Sequence, residues 1–196
     1  MHTLREVTGR REVASFADAM PGARAAVSYA ERLHADQRRR SDDAPFIEHP
    51  LEVARLLREA GGSDELVAAG VLHDVLEKTR GTRRELRARF GDHVAALVEA
   101  VSENPKIETY TKRKAALREQ VAQAGEEALM LFAADKVSKV RELESSNRPL
   151  VPRRIAHYKR SLELLQERLP NCSLTGELAV ELAALGERRL VGTGHR

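Results

Sequence analysis

Cysteine is almost absent from this sequence: Cys172 stands alone among 196 residues. That excludes an internal disulfide and a cysteine-type zinc site, and it fits a reducing compartment. Long apolar runs are missing as well. The opening stretch MHTLREVTGRREVASF holds no signal-peptide core, and no segment approaches the roughly 20 apolar residues of a membrane span. The expectation is a soluble, cytoplasmic protein with no membrane partner. Strand signals are scarce, with few β-branched runs and no Asn-Gly hairpin pair. Net charge is also small. The 33 basic and 30 acidic residues leave +3, which by itself implies no nucleic-acid partner. There is no Gly-rich phosphate loop, no G-x-S-x-G elbow and no paired-cysteine motif.

What the chain does have is helical pattern. Hydrophobic residues make up 42% and charged residues 32%, a globular balance with many solvated helix faces. The length suits one domain with a real core. Ala26, Val27, Ala30 and Leu33 share one face of a helix expected over 23–37. Pro50 suits the first turn of the next helix, which Gly61-Gly62 ends. Ser63 caps a helix expected to run to about Lys78, with Asp64 and Glu65 placed against its dipole. Further helices are expected over 82–90, 92–101, 111–123, 126–145, 152–168 and 174–189, and residues 1–20 are expected to be loosely held. The expected fold class is all-α.

The helix through GVLHDVLEKT is apolar around nearly its whole circumference, yet it carries His73, Asp74, Glu77 and Lys78. An ionised carboxylate in such a place costs several kcal/mol unless it is paired or bound to a metal. Two readings stand. Asp74 forms an i,i+4 pair with Lys78, or the group faces a site. The helix EEALMLFAADKVSKV repeats the pattern, apolar until it meets Asp135. Asp135 either pairs with Lys139 or reaches the same cavity. His49, before Pro50 in PFIEHPLEV, is either a helix-entrance histidine or a third partner. Two imidazoles and two carboxylates make a sensible divalent-cation site that leaves room for water.

The motif order H-A-x-Q-R-R, P-[FY]-I-x-H-P-L-x-V-A, L-H-D-x-x-E-x-T, F-G-x-x-V-A-x-L-V and x-A-D-K runs from about Ala25 to Leu143. It resembles the HD-domain hydrolases of the RelA/SpoT type. In size the chain is similar to the stand-alone small alarmone hydrolases, a group that includes the metazoan SpoT homologue. The resemblance implies a helical bundle of about eight to ten helices. The hydrolase-like domain would span 21–170, with a C-terminal helix and tail over 171–196. It also implies that His49, His73, Asp74 and Asp135 hold one metal ion, usually Mn²⁺. His34 matches a packing position rather than a ligand.

The reaction implied is removal of pyrophosphate from the 3′ position of (p)ppGpp, a small nucleotide. The family places Glu then Asp after the doublet to handle the attacking water. Here Glu77 is present, but Lys78 stands in the second place. A protonated lysine is no base, although it can clamp phosphate. Lys139 likewise stands where the family has a base-binding Asn. Both changes leave room for another nucleotide or phosphate ester as substrate, or for a binding domain with little turnover. Arg39 and Arg40 lie where the family contacts the nucleotide, and Lys112, Arg113, Lys114 and Arg118 where it has basic residues near the 5′-phosphates. A solvated charged face is the alternative for both groups. An apolar stripe in ELAVELAALGE suits either the core or a dimer.

Overall fold

The structure is a computed structural model that describes residues 20–146 and 149–192, with side chains to residue 186. The expected looseness of residues 1–20 falls almost wholly outside the described residues. The helices are α1 (Pro21–Leu33), α2 (Glu48–Glu59), α3 (Asp64–Leu72), α4 (Val75–Lys78) and α5 (Arg83–Val101), followed by α6 (Tyr110–Gln123), α7 (Glu126–Ser145), α8 (Pro152–Arg168) and α9 (Ser173–Gly192). No strand forms among the described residues. The all-α expectation is met.

Helix α3 is the axis of the molecule. Every residue from Leu66 to Leu72 is buried, and α1, α2, α5 and α7 pack around it. Gly70 makes the closest approach. A Cβ there would lie 2.6 Å from Leu57 Cδ1 and 3.3 Å from the Ala54 Cα, so a hydrogen at this position lets α2 and α3 touch. Ser63 caps α3 as the sequence suggests, accepting from the Leu66 amide at 3.1 Å. Asp64 lies in the first turn of α3 as expected and also reaches beyond it. Its carboxylate crosses to the start of α1 and accepts from the amides of Gly22 (2.9 Å) and Ala23 (2.7 Å). Met20 offers α1 no side-chain cap, so Asp64, 42 positions beyond Gly22, supplies it.

Helix α3 is interrupted after Leu72, although His73 and Asp74 keep αR backbone angles and the run resumes to Lys78, its expected end. His73 Nδ1 takes the Gly70 carbonyl at 2.8 Å, a group that a continuing helix would keep for the amide of Asp74. The chain then turns through Asp74 into the single turn of α4. Further on, Thr82 and Glu85 form a capping box at the start of α5. Gly91, at φ +85°, bends that helix at the boundary expected between 90 and 92. The C-terminal helix α9 packs on both α7 and α8. Its apolar stripe serves the core through Leu174, Leu178, Leu182 and Leu185.

Candidate metal and phosphate site

Three elements deliver the ionisable group. The start of α2 supplies His49, the break after α3 supplies His73 and Asp74, and the middle of α7 supplies Asp135. His49 Nε2 and His73 Nε2 lie 3.1 Å apart. Asp135 Oδ1 is 3.2 Å from the first and 3.6 Å from the second. Asp74 Oδ2 is 3.6 Å and 3.4 Å from the same two nitrogens. His49 is fully buried and His73 nearly so.

The tautomers follow from the backs of the rings. His73 Nδ1 faces a carbonyl oxygen, which only accepts, so that nitrogen carries hydrogen. His49 Nδ1 lies 2.8 Å from Ser138 Oγ, and that hydroxyl gives its own hydrogen to Glu52 Oε2 at 2.7 Å. Nδ1 of His49 is therefore a donor too. In the neutral rings both Nε2 atoms are bare, and they point at each other and at two carboxylates. Four acceptor atoms converging in a buried place need a cation or a proton between them. Burial opposes charge on His73, but Asp74 and Asp135 outweigh it and carry the imidazole up to about 9. Burial, with Lys139 adding to it, pushes His49 down to about 3.

The donor set fits a first-row divalent ion. Donor atoms bound to one such ion at about 2.0–2.2 Å sit roughly 3–3.6 Å apart, as those of His49, His73 and Asp135 do. His49, His73 and Asp135 each present one ligand atom within 4.8 Å of the others. Asp74 Oδ2 is buried without a hydrogen-bond partner. The opposite oxygen, Oδ1, accepts from Lys78 Nζ at 2.8 Å.

A cavity of about 210 Å³ opens from this corner, lined by His73, Asp74, Glu77, Lys78 and Asp135 at one end. Lys114, Arg154, His157 and Tyr158 line it farther along. Glu77 and Lys78 are accessible to solvent, yet what they face is this concavity. Burial raises the Glu77 pKa against an opposing bond from the Glu103 amide at 2.6 Å. Burial opposes charge on Lys78, but Asp74 wins and raises its pKa, so it stays an ammonium. Lys139 also lines the cavity, and its Nζ sits 5.6 Å from the Phe46 ring centre, with Lys78 Nζ 5.5 Å from the same ring.

The weaker candidates divide. Lys114 lines the cavity, paired with Glu103. Arg39 and Arg40 are not among its lining residues. Arg39 instead joins Asp42 (2.6 Å) and Glu48 (3.0 Å), which fastens the loop before α2. Arg113 holds Glu103 and two loop carbonyls, and Arg118 donates to His157 Nδ1 at 2.9 Å. His34 is a packing residue, buried against Phe46 with ring centres 4.9 Å apart. Asp135 pairs with the adjacent Lys136. That ammonium is buried, lies 4.2 Å from the Phe132 ring centre, and was given no role by the sequence reading. Arg154 and Tyr158, four residues apart on α8, were missed as well. Only their helical spacing hints at a shared face.

A model of the HD domain matches residues 26–160, more than half of the chain. This chain belongs to the HD-domain family. With that family comes divalent-metal binding, and His49, His73 and Asp135 are the donors gathered here. The HD chain is 46% identical over 82 residues to a Synechocystis protein named probable guanosine-3′,5′-bis(diphosphate) 3′-pyrophosphohydrolase. That match covers 42% of this chain but only 11% of the relative. It is 36% identical over 124 residues to the Homo sapiens guanosine-3′,5′-bis(diphosphate) 3′-pyrophosphohydrolase MESH1, covering 60% of this chain and 67% of that one. Among solved structures it is similar to one described as a metazoan ortholog of SpoT that hydrolyzes ppGpp. The TM-score is 0.71 at 22% identity, over 86% of this chain and 95% of that one, a likeness of fold. No helix among the described residues is long and apolar enough to cross a membrane.

Proposed function

We propose that this HD domain is a metal-dependent phosphohydrolase that removes pyrophosphate from the 3′ position of (p)ppGpp. The observation that carries the reading is the meeting of two bare Nε2 atoms with the Asp135 carboxylate, and with Asp74 Oδ2 beside both nitrogens, next to a cavity lined by Lys78, Lys114, Lys139 and Arg154. The names of the Synechocystis and human relatives support the substrate. His49, His73, Asp74 and Asp135 would hold the ion, with Mn²⁺ as the expected one. Such an ion lowers the pKa of bound water and offsets charge on phosphoryl oxygens.

The chain's own residues supply the rest. Glu77, whose pKa burial raises, accepts a proton from the attacking water. Lys78 stays protonated and holds Asp74 Oδ1, which leaves Oδ2 free for the ion. The remaining ammonium hydrogens of Lys78 meet phosphate oxygens. Lys114 and Lys139 add positive charge along the path of the nucleotide, and the protein works as a cytoplasmic enzyme on a small molecule. Arg39 and Arg40, which do not line the cavity, would act from outside its wall.

The test uses metal-stripped protein incubated with Mn²⁺ and ppGpp, with GDP and pyrophosphate followed by chromatography. Release of both only with metal is the expected result. No release from metal-loaded protein would sink the alarmone reading.

A second reading is supported by Lys78 and Lys139, which flank Phe46 where the resemblance places Asp and Asn. Here the same metal chemistry serves another phosphorylated nucleotide, or the domain binds nucleotide with little turnover. A nucleotide panel that yields phosphate from a compound other than ppGpp would favour the first form. Tight ppGpp binding without product would favour the second.

A further inference from the structure

Behind His49 lies a short polar relay that neither the HD motifs nor the cavity accounts for. Ser138 sits on α7 three residues after Asp135, so one helix carries a ligand carboxylate and the hydroxyl behind a ligand imidazole. Ser138 is 1% exposed. Its Oγ donates to Glu52 Oε2 at 2.7 Å and faces His49 Nδ1 at 2.8 Å. Glu52 lies on α2, three residues after His49. Its other oxygen, Oε1, is 3.5 Å from Arg141 Nη1, and Arg141 Nε in turn donates to Glu181 on α9 at 2.7 Å.

The direction of this relay decides what His49 presents to the site. A serine hydroxyl has one hydrogen, and a carboxylate can only accept it. With that hydrogen given to Glu52, Ser138 shows His49 only lone pairs. His49 must then carry hydrogen on Nδ1 and leave Nε2 bare. Without Glu52 the hydroxyl is free to donate to Nδ1. The ring could then hold its hydrogen on Nε2, facing the Asp135 carboxylate 3.2 Å away, and could not bind a cation there.

We propose that Glu52 and Ser138 are positioning residues that set the tautomer and orientation of His49 for metal binding. The proposal rests on the reading of His49 as a ligand. Arg141 contributes by holding the Glu52 carboxylate from the side away from Ser138.

The test compares wild-type protein with Ser138→Ala and Glu52→Ala. Mn²⁺ is titrated into metal-free protein, and the histidine tautomers are read by ¹⁵N NMR before metal is added. Wild-type His49 should show hydrogen on Nδ1. Both variants should lose that preference and bind Mn²⁺ about 10- to 100-fold more weakly, the usual effect of removing such a partner. Melting temperatures of the metal-free proteins separate this from a loss of folding. Glu52 is partly exposed, so its variant keeps the question open to test if Ser138→Ala does not fold. Mn²⁺ affinity within about twofold of wild type in a folded variant would overturn the proposal. So would a wild-type His49 with hydrogen on Nε2. A wild-type protein that takes up no Mn²⁺ while showing the Nδ1 hydrogen would overturn the metal-site reading itself, and the positioning role with it.

Discussion

Lys78 Nζ lies 2.8 Å from Asp74 Oδ1, and the opposite oxygen of that carboxylate, Oδ2, is buried and points to the two imidazoles. One side chain thus joins the metal corner to the cationic cavity. Lys78 fixes which oxygen of Asp74 is available and brings a permanent positive charge to the place where phosphate would enter. Replacing it by alanine should raise KM for ppGpp about tenfold, the scale of one charge-assisted hydrogen bond, with kcat changed by less than about threefold. Steady-state kinetics in Mn²⁺ checks this. A fall in kcat at constant KM would instead give Lys78 a part in the chemical step.

Metal binding should show as stability. At a Mn²⁺ concentration about 100-fold above Kd, the native state gains about 2.7 kcal/mol, a rise in Tm of roughly 5–10 °C for a chain of this size. The double variant His73→Ala/Asp74→Ala should show no such rise. Calorimetry with and without Mn²⁺ checks it, and an equal shift in the variant would place the ion elsewhere.

Lys139 bears on the base rather than on the metal. Its Nζ lies beside Phe46 and 3.8 Å from Glu142 Oε2. Lys139→Asn should increase the preference for guanine over adenine nucleotides, read as the ratio of their kcat/KM values. An unchanged ratio would remove Lys139 from base selection.

His157 should make the protein acid-sensitive. Burial, with Lys136 and Lys114 adding to it, pushes this imidazole down to about 2, while an unfolded histidine titrates near 6.5. Between those values the unfolded chain binds a proton that the native state does not. Stability from this group is therefore complete above about pH 6.5 and falls as pH drops below it, with a limiting slope of about 1.4 kcal/mol per pH unit. His157→Gln should flatten that part of the stability–pH curve. Urea unfolding between pH 4 and 7 measures it.

Gly70→Ala should cost about 1–3 kcal/mol, because the added methyl meets Leu57 and the α2 backbone. A melting temperature equal to wild type would show that the two helices have room to separate.

Much of this protein could be read along the chain. The apolar faces of α1, α2 and α7, the Ser63 cap and the break at Gly91 are local features, governed by helical period, capping chemistry and the freedom of glycine. His73, Asp74 and Asp135 stood out because an ionisable side chain in an apolar run requires a partner. His49 stood out less from its own surroundings than from the motif around it.

What the chain did not reveal depended on distance across the fold. Asp64 is the N-terminal acid of its own helix that it looked to be, and it also caps α1. Of the two readings of Asp135, pairing with Lys139 or reaching the cavity of His73 and Asp74, the fold gives the second, and Lys136 rather than Lys139 is its ion-pair partner. The run through Lys78 looked like one helix, and it reaches Lys78 with a two-residue interruption at His73 and Asp74, which keep αR backbone angles. Ser138 and Glu52 carried no signal, since a serine and a glutamate at helical spacing occur everywhere. The sequence determined which segments are helical and which charges would need company. The tertiary structure decided which partner each charge found, because a side chain three residues away along a helix and one 40 or 80 residues away compete on equal terms once both are within hydrogen-bond reach.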